Sequence, residues 1–362
     1  MKDHSFPFRI PHSAFRIPKR ILVIRLDRIG DVVLSTPVLQ VLRGAYPSVF
    51  MAMMVRPVCH ELVEGNPSLN EVILYDKESR HKGVGSTIRF ACSLRRFRFD
   101  TALILHPSNR SHWIPWLAGI PVRIGYDRKS PWLLTRRIAH RKQEGNKHEA
   151  EYTLDMVRVF GIDPPAPRPF VPIHPQTDER VEQLLREQGI GHEDVLVAIH
   201  PSASDLSKRW PHERFASVAD RLIEGYRSTV ILVTGPQEVA HAEAVERAMR
   251  HRPVNLAGKL SVGELACVLK RCRVLLSNDS APVHVAAAVG TPVLAIFGRA
   301  QPGLGARRWG PLGLQHVVLQ KDGACVIPHP HDCDFERCRL TALSVDEVYR
   351  CALSVLQRPT YA

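Results

Sequence analysis

From Arg20 to Phe297, short runs rich in Val, Ile and Leu alternate with stretches of helical periodicity, and no other feature limits the fold so tightly. Ile21–Leu26, Val49–Val55, Glu71–Tyr75 and Thr101–Leu105 read as strands, with helical patterns such as Val32–Arg43 and Thr87–Phe97 between them. Strands joined through helices run parallel, because a parallel pair needs a long crossover rather than a tight turn. "GIDPPAPRPFVPIHP", Gly161 to Pro175, is too rich in proline for core structure and reads as a linker. The alternation then resumes as strand Val195–His200, helix Glu213–Glu224, strand Thr229–Thr234 and helix Glu238–Arg250. Helix Val262–Lys270, strand Val274–Ser277, helix Ala281–Val289 and strand Val293–Phe297 follow. The expected fold class is therefore α/β, with one domain over residues 20–170, a second over 171–343, and a closing helix and tail over 344–362. Residues 1–19 carry "FRIP" twice among basic and proline residues and read as a disordered arm.

Charge separates the two halves. Residues 1–175 hold 27 Lys and Arg against 15 Asp and Glu, whereas residues 176–362 hold 22 against 21. A basic half beside a neutral one points to an anionic partner on the first domain. The longest uncharged stretch, Ser280 to Gly298, contains Pro282, Gly290 and Pro292, so it reads as helix, turn and strand rather than a membrane span. The N-terminus has no apolar segment of signal-peptide type, and the eight cysteines are mostly scattered singly; both point to the cytoplasm.

In open parallel sheets, ligands lie beyond the carboxyl ends of strands, and the polar clusters of this chain all follow strands. "RLDRIGDVVLSTPVLQ", Arg25 to Gln40, resembles a phosphate-binding turn but has one glycine, Gly30, and then Asp31, whose carboxylate would repel a phosphate. "IHPSASDLSKRW", Ile199 to Trp210, supplies the hydroxyls of Ser202 and Ser204 and the ammonium of Lys208, all able to meet phosphate oxygens. "VTGPQE" ends in Glu238, which can cap its own helix or accept bonds from ribose hydroxyls. "LLSNDSAPVHVAAAVGTPVLAIFG", Leu275 to Gly298, places Asp279, Ser280 and Ala281 at a helix start whose free N–H groups suit an anion. His284, four residues past Ser280, reads either as a ligand contact or as a core histidine. Neither a Walker A sequence nor G-x-G-x-x-G occurs, which argues against an NTPase and a dinucleotide oxidoreductase. Cys325, His329, His331, Cys333 and Cys338 match no familiar zinc spacing and read as an irregular polar loop.

In this order, "RLDRIGDVVLSTPVLQVLR", "HPSASDLSKRWPHERFA", "VTGPQE", "AGKLSVGELACVL" and "SNDSAPVHVAAAVGTPVLAIFG" resemble glycosyltransferase family 9, the bacterial lipopolysaccharide heptosyltransferases, from about Ile21 to Leu356. The resemblance implies a GT-B architecture, two Rossmann-like domains with parallel sheets facing a cleft. It implies an inverting, metal-independent transfer of heptose from ADP-L-glycero-β-D-manno-heptose to a lipid A–core acceptor, with no cofactor. Asp31 matches the family's general base, and Lys208 the cation that steadies the departing diphosphate. Ser202, Ser204, Ser280, Ala281, Asp279 and His284 are expected on the phosphate and sugar side, Glu238 on the ribose and Leu260 against adenine. Ala281 stands where relatives commonly have glycine, and Ala300 where they often have threonine. Arg28, Arg95, Arg96, Arg98 and Arg123 are the expected contacts of the anionic acceptor, held at the cytoplasmic face of the inner membrane, with no role for nucleic acid. Another nucleotide-sugar, a nucleotide-sugar epimerase and a non-catalytic anion-binding module stay open as alternatives.

Overall fold

The computed structural model describes residues 17–321 and 340–358. The candidate metal loop from Cys325 to Cys338 and most of the basic arm lie outside these residues.

The first lobe contains β1 (Arg20–Ile24), α1 (Ile29–Val33), α2 (Thr36–Ala45), β2 (Phe50–Val55), β3 (Glu71–Leu74), α3 (Val84–Ser93), β4 (Thr101–Ile104), α4 (Asn109–Leu117), β5 (Val122–Tyr126), β6 (Arg136–Ile138) and α5 (Glu149–Leu154). Its strands form one parallel sheet in the order β3-β2-β1-β4-β5-β6. The second lobe begins with α6 (Pro175–Glu187), β7 (Leu196–His200), α7 (His212–Tyr226), β8 (Thr229–Leu232), α8 (Val239–Ala248) and β9 (Val254–Asn255). It continues with α9 (Val262–Arg271), β10 (Val274–Asn278), α10 (Ala281–Ala288), β11 (Val293–Phe297), α11 (Ala306–Trp309), β12 (Val317–Gln320) and α12 (Val345–Leu356). The second sheet is also parallel, in the order β12-β11-β10-β7-β8-β9. Read from β9, that is the order of the first sheet again. Central strands such as Leu22–Ile24 and Leu275–Asn278 are buried throughout, as a sheet covered on both faces requires.

One helix expected over Val32–Arg43 is two. Pro37 has no N–H to offer the carbonyl of Val33, and the hydroxyl of Thr36 donates to that carbonyl instead, at 2.7 Å. The break falls directly after Asp31 and Val33 and leaves α1 as a single short turn. Residues 162–174 hold neither helix nor strand. The final helix α12 packs on α7 and on β10, β11 and β12, so it completes the second lobe. No helix among the described residues is long and apolar enough to cross a membrane.

The lobes share a boundary that is partly apolar and partly ionic. A single buried cluster runs from Val32, Val33, Cys59 and Leu62 into Ala266, Leu269, Val283 and Val285 of the second lobe. Here α1 packs on α10, and the turn Pro57–Leu62 packs on α9. Gly145, at φ +65°, brings the first backbone against the second, since a Cβ there would overlap the nitrogen of Gly303. Gly145→Ala is expected to lower stability by about 1–3 kcal/mol, the usual scale of overpacking and strained φ, read as a reduced midpoint in urea unfolding.

Candidate functional site

In both sheets the order reverses beside the first strand of the lobe, between β1 and β4 and between β7 and β10. These switch points open crevices past the strand ends, and each receives a polar cluster.

On the first lobe, Arg25 leaves the end of β1 with its side chain 2% exposed. Its guanidinium meets Asp27 Oδ1 at 2.8 Å, Asp31 Oδ1 at 2.7 Å and Glu149 Oε1 at 3.2 Å, and donates to the carbonyl of Leu105 at 3.0 Å. Burial works against the charge on Arg25, but the surrounding carboxylates outweigh it and raise its pKa. His106, beyond β4, meets Asp27 Oδ2 at 3.0 Å. Asp31 lies in the first turn of α1, yet it caps nothing: the cap residue is Arg28, and the carboxylate turns to Arg25. Burial raises the Asp31 pKa against the pull of Arg25, with help from the nearby charges of Asp27 and Glu149. A carboxylate of this kind is ionised through its guanidinium partner and more basic than an exposed one.

Glu149, the first residue of α5, gathers cations from both lobes. Lys142 Nζ stands 2.6 Å from Oε1 and Arg308 Nη2, from α11, 2.8 Å from Oε2. Burial alone would raise the Glu149 pKa, but Lys142, Arg25 and Arg308 hold it well below the ordinary range. His148 adds a second bridge, its Nε2 2.9 Å from the carbonyl of Gly310.

On the second lobe, Asn278 fixes the loop after β7: its amide donates to Pro201 O at 2.8 Å, and its carbonyl accepts from the N–H of Trp210 at 3.0 Å. That loop holds Lys208 Nζ 2.5 Å from Asp279 Oδ2. Burial raises the Asp279 pKa although Lys208 opposes it. Ser202 is buried and donates to Glu238 Oε1 at 2.7 Å, and Glu238 makes no cap on its own helix. His200 sits between them: Nδ1 lies 3.1 Å from Ser280 Oγ, and Nε2 lies 3.9 Å from Glu238. Burial lowers the His200 pKa to about 4, so the ring is neutral at physiological pH. Ser204 is exposed on the same loop. Leu260 is half-buried against the core, and the adjoining Gly258 faces Val239 and Pro236, next to Glu238.

The two clusters meet where α1 touches α10. A Cβ on Gly30 would come 2.7 Å from His284 Cδ2 and 3.6 Å from Ala281 Cα. Asp31 therefore stands one residue from the point where the first lobe reaches the start of α10. His284 is buried, its Nδ1 lacks a hydrogen-bond partner, and burial lowers its pKa to about 3.

Four expected acceptor contacts are not brought here: Arg123, and Arg95, Arg96 and Arg98, which lie together just before β4. Arg123 pairs in register with the early part of β1, and its guanidinium donates to the carbonyls of Leu133 and Ile120. Arg95 lies past the end of α3, before β4 begins, and bonds Leu117 O at 3.1 Å. All four sit toward the amino ends of the strands, opposite the crevice. Arg28, by contrast, is exposed at the start of α1, beside Asp31. Arg25, Asp27, His106, Lys142, Glu149, Arg308 and His200 were not among the expected site residues. An arginine and an aspartate closing an apolar strand in "VIRLDR" were the available signal for the first two.

The profile of glycosyltransferase family 9 (heptosyltransferase) matches residues 87–336. The chain belongs to glycosyltransferase family 9. It is a glycosyltransferase with two Rossmann-like lobes in the GT-B arrangement. The family match spans Lys208, Glu238 and Asp279 and begins after Asp31. Among curated relatives, the lipooligosaccharide heptosyltransferase 2 of Haemophilus influenzae is 27% identical over 291 residues, 78% of this chain and 84% of its own length. Among solved structures, a family 9 glycosyltransferase from Veillonella parvula superposes with a TM-score of 0.83 at 25% identity, covering 95% of this chain and 99% of that one. The ADP-heptose LPS heptosyltransferase II of Escherichia coli has the same fold, with a TM-score of 0.79 at 22% identity over 93% and 98%.

Glu149→Gln is expected to destabilise the protein by about 3–5 kcal/mol near neutral pH, because two buried cations, Arg25 and Lys142, and the half-buried Arg308 lose their shared anion. The folded-state pKa of Glu149 lies below its ordinary value of 4.5, so its contribution is complete above that pH and fades as the pH falls below it. Urea unfolding of both proteins across that range should show the gap closing on the acid side.

Proposed function

We propose that this glycosyltransferase moves a heptosyl group from ADP-L-glycero-β-D-manno-heptose to the lipid A–core acceptor of lipopolysaccharide, with inversion at the anomeric carbon. The observation that carries the reading is the contact of Gly30 with Ala281 and His284, which brings Asp31 beside the helix start suited to a diphosphate. The names of its relatives support heptose and a lipopolysaccharide acceptor.

In this mechanism an acceptor hydroxyl attacks the anomeric carbon from the face opposite ADP. Asp31 Oδ takes the hydroxyl proton as the new C–O bond forms, and the electrons of the breaking bond leave with the diphosphate. The raised Asp31 pKa makes it a stronger proton acceptor, while Arg25 keeps it anionic beforehand. Lys208 and the N–H groups at the start of α10 would meet the charge developing on the leaving phosphate. Lys208 is paired with Asp279 before the diphosphate arrives, so that ion pair must loosen as it binds. Glu238, steadied by Ser202, would accept bonds from the ribose hydroxyls. The acceptor lies in the cytoplasmic leaflet of the inner membrane, which the protein meets peripherally.

Asp31→Ala should lower turnover at least ~100-fold while calorimetric ADP affinity is kept, whereas Lys208→Ala should weaken both. The acid limb of kcat/KM should lie above the ordinary aspartate value of 3.8 in the parent enzyme and vanish in Asp31→Ala. Mass spectrometry of the product from purified core acceptors, offered ADP-heptose and then UDP- or GDP-sugars, tests the reading directly. Transfer only from a UDP- or GDP-sugar, or turnover of the donor without acceptor, would replace it.

A further inference from the structure

One face of the first lobe differs from the rest of the described surface. Residues 79–140 contain twelve Lys and Arg but only two acids, Asp100 and Asp127. Both acids accept backbone N–H groups, Asp100 from Lys19 and Arg20 and Asp127 from His140. Across the same segment large apolar side chains face water. Val84 and Ile88 stand on α3, one turn apart, at 79% and 43% exposure. Trp113 and Trp116 stand on α4, with their rings 5.4 Å apart and edge to face. Trp132, 66% exposed, sits on the turn Pro131–Leu133.

These positions form one surface. Helices α3 and α4 pack side by side and, with residue Leu134, bury their inner sides in the same core cluster against the sheet. Their outward rows are therefore neighbours. The turn is tied to the start of α4 by a bond from Ser130 to Asn109, at 3.1 Å. Arg89, on α3, and Arg128 and Lys129, before the turn, are exposed around the apolar side chains. The upper edge of this face, at Asn109, lies three residues past His106, which belongs to the charge cluster around Asp31.

Indole rings flanked by guanidinium and ammonium groups suit the boundary between lipid headgroups and acyl chains, where one side of the ring is apolar and the other wet. The near absence of acids suits a negative surface rather than a protein of mixed charge. We propose that the outer face of α3, α4 and the Pro131–Leu133 turn is the surface by which this protein docks on an anionic bilayer, with Trp113, Trp116 and Trp132 entering the headgroup layer. The inference rests on the reading of a lipid-borne acceptor, since docking here sets the rim of the crevice against the leaflet that carries it. It deepens that reading by naming the residues that make the contact.

The test uses the full chain with vesicles of phosphatidylcholine alone and of phosphatidylcholine mixed with phosphatidylglycerol. Three of the five tryptophans lie on this face, so their emission reports directly on entry into lipid. A blue shift and co-sedimentation with the mixed vesicles, absent with phosphatidylcholine alone and reversed by salt, are expected. Arg89→Glu combined with Lys129→Glu should weaken binding roughly 10-fold or more and remove the shift at a vesicle concentration that shifts the parent. Replacing Trp113, Trp116 and Trp132 by Ala should weaken sedimentation comparably, while turnover on an acceptor stripped of acyl chains stays unchanged. Binding unaltered in both variants would overturn the assignment, as would a shift that follows protein concentration without lipid, which would place a second copy on the face. None of the binding arms requires heptosyl transfer. A failed vesicle test with the expected product would therefore reject the surface alone, and a different product with vesicle binding intact would reject only the reaction.

Discussion

A single buried carboxylate joins the two lobes. Glu149 is shared by Lys142 and Arg25 of its own lobe and Arg308 of the other, and without these cations its burial would be unaffordable as an anion. Arg25 holds both Glu149 and Asp31, so the carboxylate that meets Arg308 of the second lobe and the candidate base share one guanidinium.

The same sheet order occurs twice, and so does the crevice it creates, but the lobes fill their crevices differently. The first places carboxylates and an arginine around a short helix that Pro37 prevents from extending. The second presents a lysine, small hydroxyl residues and the start of α10, and keeps the buried His200 and His284 neutral. The near contact at Gly30 brings the two crevices together.

Much of this could be read from local order in the chain. The strands ending in Ile24, His200 and Asn278, and the stretch without helix or strand after Gly161, follow from apolar runs and proline content, which act over a few residues. The β9 strand, two residues long, carries no such pattern. The ionic hub was illegible for another reason: Glu149 lies 124 residues from Arg25 and 159 from Arg308, and nothing near it in "NKHEAEY" marks it as buried. Arg95 and Arg123 show the limit of counting charge. Composition identified the basic lobe, but only strand register shows which end of the sheet an arginine occupies. The split of the expected first helix needed the pairing of Thr36 with the Val33 carbonyl, a consequence of proline chemistry two residues from the break.

The apolar boundary also governs how the lobes can move. Val32, Val33, Val283 and Val285 belong to one continuous buried cluster, so pulling the lobes straight apart would wet all of them together. A pivot that keeps this seam in register leaves those side chains dry while the crevice above it widens. Admission of a nucleotide-sugar is therefore expected to proceed by a rocking motion about the seam, in the manner of a hinge pin that never leaves its socket.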